Sequence, residues 1–288
     1  MKYAIAIRNM GPQSTRETIR ACARTAERLG FDAIFVSDHL CIPPDETEGS
    51  GGRYLDVLAT LAFLAGATDR IRLGVSVLVL PYRPAVLTAK QVATFQELSG
   101  ERMILGVGVG WMKREFEALG VDKRLRSQMS NETLRVLRHL FTTEPTAYRG
   151  DLVSFPAFVF EPRPKCPPIW IGGNGAAARR RAVEVADGWA PLAGPPLQSV
   201  EMLAQHIADV NRRRAERGRG RADVSFIPYE ADLLARGDAC DMFCAAVKPR
   251  VDAYAGAGVT WLTIEPTSRS YDDFRADIDL LAAKLVHA

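Results

Sequence analysis

An acidic side chain and a histidine stand together directly after a short apolar stretch. Residues 33–36 read Ala-Ile-Phe-Val, and Asp38 and His39 follow after one serine. Because histidine changes its protonation state near neutral pH, this pair could orient a ligand or carry a proton. The same spacing suits an aspartate that caps a helix and fixes a neighbouring histidine, so these residues alone leave both interpretations open.

Glycines alternate along a second apolar stretch. Gly106, Gly108 and Gly110 are separated by valines and precede Trp111. Because glycine has no side chain, a flat ring or a phosphate group could approach the backbone along this face. Close packing inside a barrel would select glycine at the same positions. The spacing differs from that of a dinucleotide-binding fingerprint, and no helix begins directly after it.

A third stretch joins an apolar run to a basic helix. Ile169–Ile171 leads into Gly172-Gly173-Asn174-Gly175, and three consecutive arginines follow at 179–181. A glycine-rich turn at a helix N-terminus presents free amides and the positive end of the helix dipole to an anion. The pattern therefore predicts a phosphate site, with an ordinary strand-to-helix turn as the alternative. Phosphate sites of eight-stranded barrels usually follow strands seven and eight, so this position is unusual.

The composition limits the class of protein. The chain has 288 residues, of which 47% are hydrophobic, and a formal net charge of +3. That is enough apolar material for one large core, and the near balance of charges gives little support to nucleic-acid binding. The five cysteines form no Cys-x-x-Cys pair, and neither a signal-peptide pattern nor a membrane-length apolar run is present. We expect a cytoplasmic protein with reduced thiols, no metal site, and neither a membrane nor a nucleic acid as partner.

Short β-rich stretches alternate with amphipathic helical stretches along the whole chain. This alternation is typical of parallel strands joined by right-handed crossovers. Eight such units in 288 residues favour a closed (β/α)8 TIM barrel with insertions in the strand-end loops over an open doubly wound sheet. We expect one domain over residues 1–288. The strands are predicted at Tyr3–Ile7, Ala33–Val36, Ile71–Val79, Met103–Val107, Ile169–Ile171, Gly188–Ala190, Val224–Ile227 and Val259–Ile264.

Three local signals concern the helices. Ser14-Thr-Arg-Glu17 fits a capping box, in which Ser14 and Glu17 would satisfy free amides of the first turn. A helix is predicted from Asp238 to Ala255. The basic segment Arg212–Arg221 reads as a solvated helix end and loop, with a docking patch for an acidic ligand tail as the alternative.

Ordered motifs connect these stretches to a known family. They are Leu29-Gly-Phe-Asp-Ala33, Ser37-Asp-His-Leu40, Leu73-Gly-Val-Ser-Val-Leu-Val-Leu-Pro81 with Arg83-Pro84, Ala89-Lys90-Gln91, Leu98-Ser-Gly-Glu-Arg102, Gly106-Val-Gly-Val-Gly-Trp111 leading to Glu115-Phe-Glu-Ala-Leu-Gly120, Pro167-Pro-Ile-Trp-Ile-Gly-Gly-Asn174 and Ala186-Asp-Gly-Trp189. In this order the chain resembles the luciferase-like oxidoreductases, most closely the branch that uses the deazaflavin coenzyme F420. The resemblance extends from the first strand to about Pro191, and beyond that point it is only architectural.

The resemblance implies where a tricyclic cofactor would lie. Its ring would cross the barrel mouth against a bulge in the third strand, and Ser76-Val77 matches the pair that usually forms a non-proline cis peptide there. Asp38 and His39 would line the edge and the reacting face of the ring. The implied contacts to the ring or its ribityl chain are Gly108, Val109 and Gly110, and those to the phosphate are Gly172, Gly173 and Asn174.

The implied activity is hydride transfer between F420 and a small organic substrate. The reaction would reduce an activated C=C, C=N or C=O bond, or run in reverse, with His39 as the proton carrier. The expected assembly is a homodimer. An FMN-dependent monooxygenase and a non-catalytic flavin-binding protein of the same fold remain as alternatives.

Three departures from the family pattern bear on the substrate and the fold. Sugar-phosphate dehydrogenases of the family have a glutamate in place of Trp111 and a tryptophan where this chain has Ile42-Pro43-Pro44, which argues against oxidation of glucose 6-phosphate. Glu101 replaces a common glycine, and we expect that replacement to be harmless.

Overall fold

The computed structural model describes residues 1–47, 50–236, 240–268 and 270–287, with the backbone alone at positions 232, 235 and 236. The strands of the described chain are β1 (Lys2–Ala6), β2 (Ala33–Val36), β3 (Arg72–Val79), β4 (Met103–Gly108), β5 (Tyr148–Arg149), β6 (Ser154–Phe155), β7 (Ile169–Gly172), β8 (Gly188–Ala190), β9 (Asp223–Phe226) and β10 (Trp261–Ile264). All except β5 and β6 form a closed parallel barrel in the order β1-β10-β9-β8-β7-β4-β3-β2. This confirms the predicted (β/α)8 barrel.

Helices follow the barrel strands and cover the outside of the barrel. They are α1 (Arg16–Arg28), α2 (Val57–Ala65), α3 (Ala85–Leu98), α4 (Lys113–Ala118), α5 (Arg126–Thr142), α6 (Ala176–Glu184), α7 (Val200–Ala215), α8 (Cys240–Val247), α9 (Val251–Ala257) and α10 (Tyr271–Leu281). The connection between β4 and β7 is the longest, since it holds α4, α5 and the antiparallel hairpin of β5 and β6. It is therefore a strand-end insertion of the predicted kind.

Aromatic side chains fill the barrel interior. The ring of Trp170 lies 5.8 Å from that of Phe35 and 5.2 Å from that of Trp261, centroid to centroid. A Cβ atom at Gly74 would collide with Phe35, and one at Gly188 would collide with Trp170. Large rings on some strands thus require glycine on their neighbours, because barrel interiors are packed to native density. The filled interior leaves the carboxyl ends of the strands as the place for a ligand.

The N-terminus of α1 differs from the capping-box prediction. The side chain of Thr15, not of Ser14, accepts the hydrogen bond from the first-turn amide of Thr18. The Ser14 hydroxyl instead donates to the carbonyl of Gly11 and accepts from Arg53. The prediction was wrong by one residue because either hydroxyl could cap, and Ser14 is committed to the turn that precedes the helix.

The backbone conformation of Glu101 is energetically unfavourable, which the sequence did not indicate. Its φ is +61°, in the left-handed region that glycine adopts freely. A residue with a side chain is less stable in this region by roughly 1–2 kcal/mol. The Glu101 carboxylate accepts a hydrogen bond from the amide of Lys165 at 3.0 Å, which offsets part of that cost. Glutamate at position 101 is therefore compatible with the fold but lowers its stability relative to glycine.

The structure differs in part from the predictions for the helix Asp238–Ala255 and for the basic segment Arg212–Arg221. The predicted start at Asp238 lies outside the described residues, and from Cys240 onward α8 and α9 are separated by a 3-10 turn. The basic segment is only partly solvated, because Arg214 is buried and donates to the carbonyls of Ala182 and Ala186 at 2.6 Å each. Among the described residues, no helix is long and apolar enough to span a membrane.

Candidate active site

A cavity of about 340 Å³ opens at the carboxyl ends of the barrel strands. This is where barrel enzymes place their chemistry, and the volume lies at the lower end of the range for small-molecule sites. Its wall includes nine of the ten residues that the sequence analysis selected, all except Asn174. They are Asp38, His39, Ser76, Val77, Gly108, Val109, Gly110, Gly172 and Gly173. We call this space the ring cavity.

Strand β3 is irregular where it borders the ring cavity. Between Val75 and Leu78 its register against β4 shifts by one residue, which is a bulge. The Ser76–Val77 peptide bond inside the bulge is cis. The predicted cis peptide is thus confirmed, and it lies in the cavity wall.

Val77 explains glycines on β4 and on β7, the next strand beyond it. A Cβ atom at Gly108 would lie 2.6 Å from Val77 Cγ2, and one at Gly172 would lie 2.7 Å from Val77 Cγ1. Gly106 likewise leaves no room for a Cβ atom beside the carbonyl of Val75. These glycines accommodate the β3 bulge, so the packing interpretation of the glycine pattern is the one that the structure supports. The valine side chain, and not bare backbone alone, forms this wall.

His39 is held by a glutamate that the sequence analysis did not select. Its Nδ1 lies 3.1 Å from Oε2 of Glu115, a residue of α4 with a fully buried side chain. The imidazole also lies near two rings on the rim, with centroids 5.0 Å from Tyr54 and 6.1 Å from Trp111. Since Nδ1 is engaged by Glu115, Nε2 is the ring nitrogen left for a ligand in the cavity.

The Glu115 carboxylate is the hub of a buried network. Its Oε1 accepts from the amides of Leu40 and Cys41 at 2.6 and 3.3 Å, and its Oε2 accepts from the Tyr82 hydroxyl at 2.7 Å. Burial raises the pKa of Glu115, but the hydrogen bonds from His39, Leu40 and Tyr82 outweigh burial and hold that pKa below its usual value. An ionised Glu115 can only accept, so Nδ1 of His39 must carry a hydrogen.

Asp38 forms a buried ion pair with an arginine. Arg83 donates Nη1 to Oδ2 at 2.7 Å and Nη2 to Oδ1 at 2.9 Å, and the amide of Val79 donates to Oδ2 at 2.9 Å. The Asp38 side chain is fully buried and that of Arg83 is 10% exposed. This bidentate pair ties the residue before His39 to the end of β3, so Asp38 supports the cavity wall while its carboxylate is occupied.

Replacing Asp38 with alanine is expected to lower the free energy of unfolding by about 3–5 kcal/mol, because it leaves the Arg83 guanidinium buried without its main counterion. Chemical denaturation measures this change. Asp56→Asn is the matched control: Asp56 also contacts Arg83, at 3.3 Å, but it is 48% exposed, and asparagine still caps α2. The control should lose less than about 1 kcal/mol. Equal losses in both variants would contradict the structural role given to Asp38.

A second cavity of about 210 Å³ lies at the N-terminus of α6 and shares part of its wall with the ring cavity. The shared residues are Gly108, Val109, Gly172 and Gly173. Gly175 is the N-cap of α6, and no side chain accepts the hydrogen bonds of its first turn. The free amides and the helix dipole therefore favour an anion here. We call this space the anion cavity.

Arg181 supplies the charge of the anion cavity. Its side chain lines that cavity and is buried, and it donates to the uncharged oxygens of Asn131 (2.6 Å) and Ser127 (2.5 and 3.2 Å). Burial, followed by the nearby Arg180 charge, lowers the pKa of Arg181. In the part of the chain that the structure describes, no carboxylate forms an ion pair with this guanidinium. A buried cation without an acid is a binding group for an anionic ligand.

Asn174 has a different contact from the one implied by the family pattern. Its side chain donates to the carbonyl of Leu192 at 2.8 Å and accepts from the Leu192 amide at 2.9 Å. Both ends of the amide are thus used to tie the glycine turn to the loop after β8. The turn's shape depends on Asn174, while the anion cavity is lined by Gly173, Gly175 and Arg181.

Family membership follows from a match over most of the chain. The model of the family described as luciferase-like monooxygenase matches residues 1–235. The chain belongs to the luciferase-like monooxygenase family. Two uncharacterized proteins of Mycobacterium tuberculosis are similar to it: one is 32% identical over 210 residues (68% of this chain, 71% of that protein), and the other 30% over 283 residues (93% and 94%). The resemblance seen in the motifs is confirmed.

Proteins that are similar to this luciferase-like chain in sequence or in fold use two different cofactors by name. The FMNH(2)-dependent dimethylsulfone monooxygenase of Pseudomonas putida is 31% identical over 205 residues, covering 69% of this chain and 54% of that protein. The coenzyme F420-dependent tetrahydromethanopterin reductase from Methanopyrus kandleri superposes with a TM-score of 0.76 at 17% identity, covering 99% and 98% of the two chains. The monooxygenase RslO1 from Streptomyces bottropensis gives 0.81 at 17% identity, covering 100% and 99%. The two superpositions show the shared fold.

Proposed function

We propose that this chain is an F420-dependent oxidoreductase that transfers a hydride between the deazaflavin and a small organic substrate. The observation that carries the proposal is the pair of adjacent cavities that share part of a wall. One is largely apolar and contains a fixed histidine, and the other is cationic and lies at a helix N-terminus. A planar ring on a chain that ends in a phosphate fits this arrangement. When bound, the cofactor would supply the hydride chemistry.

The residues of the two cavities would have separate tasks. Val77 would support one face of the ring, and the first turn of α6 with Arg181 would hold the phosphate. Trp111 is 61% exposed at the rim, where it could limit the access of water once a ligand is present. His39, with Nδ1 fixed by Glu115, would hold or move a proton at Nε2.

Two features support F420 over FMN. The motif order resembles the F420 branch, and α6 continues past the anion cavity's glycine turn with Arg179 and the exposed Arg180. F420 carries a negatively charged glutamyl tail beyond its phosphate, whereas FMN ends at the phosphate. Cations beside the cavity would therefore contribute more to the binding of F420.

An FMN-dependent monooxygenase is the second candidate. Its support is the 31% identity to an enzyme that uses FMNH2, and both cavities also suit a flavin. A non-catalytic flavin-binding protein would have little use for the buried Glu115–His39 pair, so the network supports catalysis.

We expect purified protein to bind F420 with micromolar or tighter affinity and FMN more weakly. The phosphate contributes to both complexes, and the additional carboxylates of F420 contribute only to the first. Fluorescence titration with each cofactor at two salt concentrations measures this difference, and added salt should weaken F420 binding more. Tight FMN binding without a response to F420 would move the assignment to the monooxygenase branch.

A further inference from the structure

A third cavity, of about 230 Å³, adjoins the ring cavity at the ends of β1, β2 and β10. The two cavities share Ser37 and Ser76. Its volume is below the roughly 300–1,000 Å³ of a complete ligand site, so it would accommodate only part of a molecule. The remainder of that molecule would extend past the shared serines into the ring cavity.

Arg8 gives this third cavity a positive charge. It follows the end of β1 by two residues and lines the cavity, and its Nε is buried without a hydrogen-bond partner. Among the described residues, the Arg8 guanidinium takes part in no hydrogen bond and no ion pair. A half-buried guanidinium with unused donors matches a carboxylate, which can accept two parallel hydrogen bonds from it.

Glu265 lies in the same cavity, directly after β10. In the described part of the chain, no ion pair or hydrogen bond joins it to Arg8. Glu265 is an exposed residue, and desolvation by the surrounding protein raises the pKa of its carboxyl. Because an ionised carboxyl repels an anion, a carboxylate ligand in this cavity would depend on Arg8 and would gain nothing from Glu265.

We propose that this third cavity is the substrate subsite and that Arg8 binds a carboxylate on the substrate. The proposal rests on the proposed function for one point only, namely that the reacting bond of the substrate lies on the ring-cavity side of Ser76. The carboxylate end would lie beside Arg8 among mainly apolar neighbours such as Phe35 and Pro266, where a charge-assisted pair is strengthened by the low local dielectric.

The test uses benzoate as the probe and its uncharged analogue benzamide as the comparison, on protein without added cofactor. Saturation-transfer NMR measures the affinity of both. Benzoate should bind the wild type. The Arg8→Gln substitution should lower the affinity for benzoate at least tenfold and change the affinity for benzamide less than twofold. Arg20→Gln is the matched control, because it removes the same charge from an exposed position on α1. It should leave benzoate affinity unchanged.

Two more variants keep the result decisive. If the Arg8→Gln variant has a lowered melting temperature, Arg8→Lys can be used instead. Lysine retains the charge but cannot form the bidentate pair, so this variant should lower the affinity for benzoate severalfold. Glu265→Gln should retain benzoate affinity or raise it. No benzoate binding to the wild type, equal losses in the Arg8→Gln and Arg20→Gln variants, or a loss in Glu265→Gln without one at Arg8 would overturn the proposal. Benzoate binding by a protein that binds neither F420 nor FMN would reject the proposed function and leave the carboxylate site standing.

Discussion

Replacing Gly175 with aspartate is expected to weaken cofactor binding at least a hundredfold in a barrel that stays folded. Gly175 has φ −68° and ψ 161°, which any residue adopts, and a Cβ atom there would meet nothing within 4 Å. Aspartate at an N-cap accepts hydrogen bonds from the first-turn amides. In this protein those amides line the anion cavity, so the carboxylate would take the place of the phosphate and repel it.

The matched variant is Gly175→Asn. Asparagine caps α6 in the same way but adds no charge, so it should weaken cofactor binding by about tenfold or less. Thermal unfolding should show both variants as stable as the wild type or slightly more so, because a side-chain cap is gained. Gly173→Asp would be a poorer test, since Gly173 has φ +105° and any side chain there is strained.

This test does not depend on the choice of cofactor. F420 and FMN both carry a phosphate, so the titration can use whichever one the wild type binds. An aspartate variant with unchanged affinity and an unchanged melting temperature would place the phosphate outside the anion cavity.

The barrel was predictable because its strands have a simple signature. A barrel strand is buried on both faces, by helices outside and by side chains inside, so it reads as a continuous apolar run. The glycine and proline residues around it mark its ends. The predicted third strand began at Ile71 and the observed one begins at Arg72, with the same end at Val79. The family motif added the cis peptide at Ser76–Val77, which apolar periodicity could not have indicated.

Glu115 was missed because its partner is distant in sequence. It lies 76 residues from His39, in the charged helix Lys113–Ala118, which reads as a solvated surface helix. Only the folded chain brings the end of β2 against α4. Two signals were available: a family motif, Glu115-Phe-Glu-Ala-Leu-Gly120, begins at this residue, and Phe116 next to it is a large apolar residue in a mostly charged helix, which indicates that α4 has a buried side.

Arg181 was recognised only as part of a basic run. Three arginines in succession suggest a solvated surface, but the helix separates them by 100° each. Ala178 is buried, and Arg181 lies at the i+3 position from it, on the same face of the helix, whereas Arg180 lies at i+2, on the opposite face. Helical phase therefore puts Arg181, and not Arg180, on the buried face. The depth of the cavity beside it required the structure.

Replacing His39 with asparagine is expected to lower turnover by about a hundredfold or more while cofactor affinity changes little. In the proposed complex the first turn of α6 and Arg181 would hold the phosphate and Val77 would support the ring, whereas Nε2 of His39 is the ring nitrogen left to hold a proton. Positioned proton transfer typically contributes 10²–10⁴-fold to a rate. Single-turnover kinetics at saturating cofactor measure the chemical step. Equal rates for wild type and variant would remove His39 from the mechanism.

A Glu115→Gln variant tests whether the tautomer of His39 matters, because it leaves the imidazole in place. Glu115 accepts from two backbone amides through Oε1, so a glutamine would keep its oxygen there and turn its NH2 towards Tyr82 and His39. The Nδ1 of a neutral His39 would then have to accept, and its hydrogen would move to Nε2. A base needs a lone pair at Nε2, so this change of tautomer disables proton abstraction without removing the imidazole.

We therefore expect Glu115→Gln to lower turnover at least tenfold and to leave cofactor affinity nearly unchanged. The ¹⁵N chemical shifts of the His39 ring, read in protein labelled at histidine, report the tautomer directly. Tyr82→Phe is the control: it removes one donor to Oε2 but leaves the carboxylate that fixes Nδ1, so both tautomer and rate should be largely retained. A slow Glu115→Gln enzyme whose His39 tautomer is unchanged would mean that Glu115 acts through the fold of the rim. If the tautomer changes and the rate does not, proton transfer by His39 is not part of the rate-limiting step.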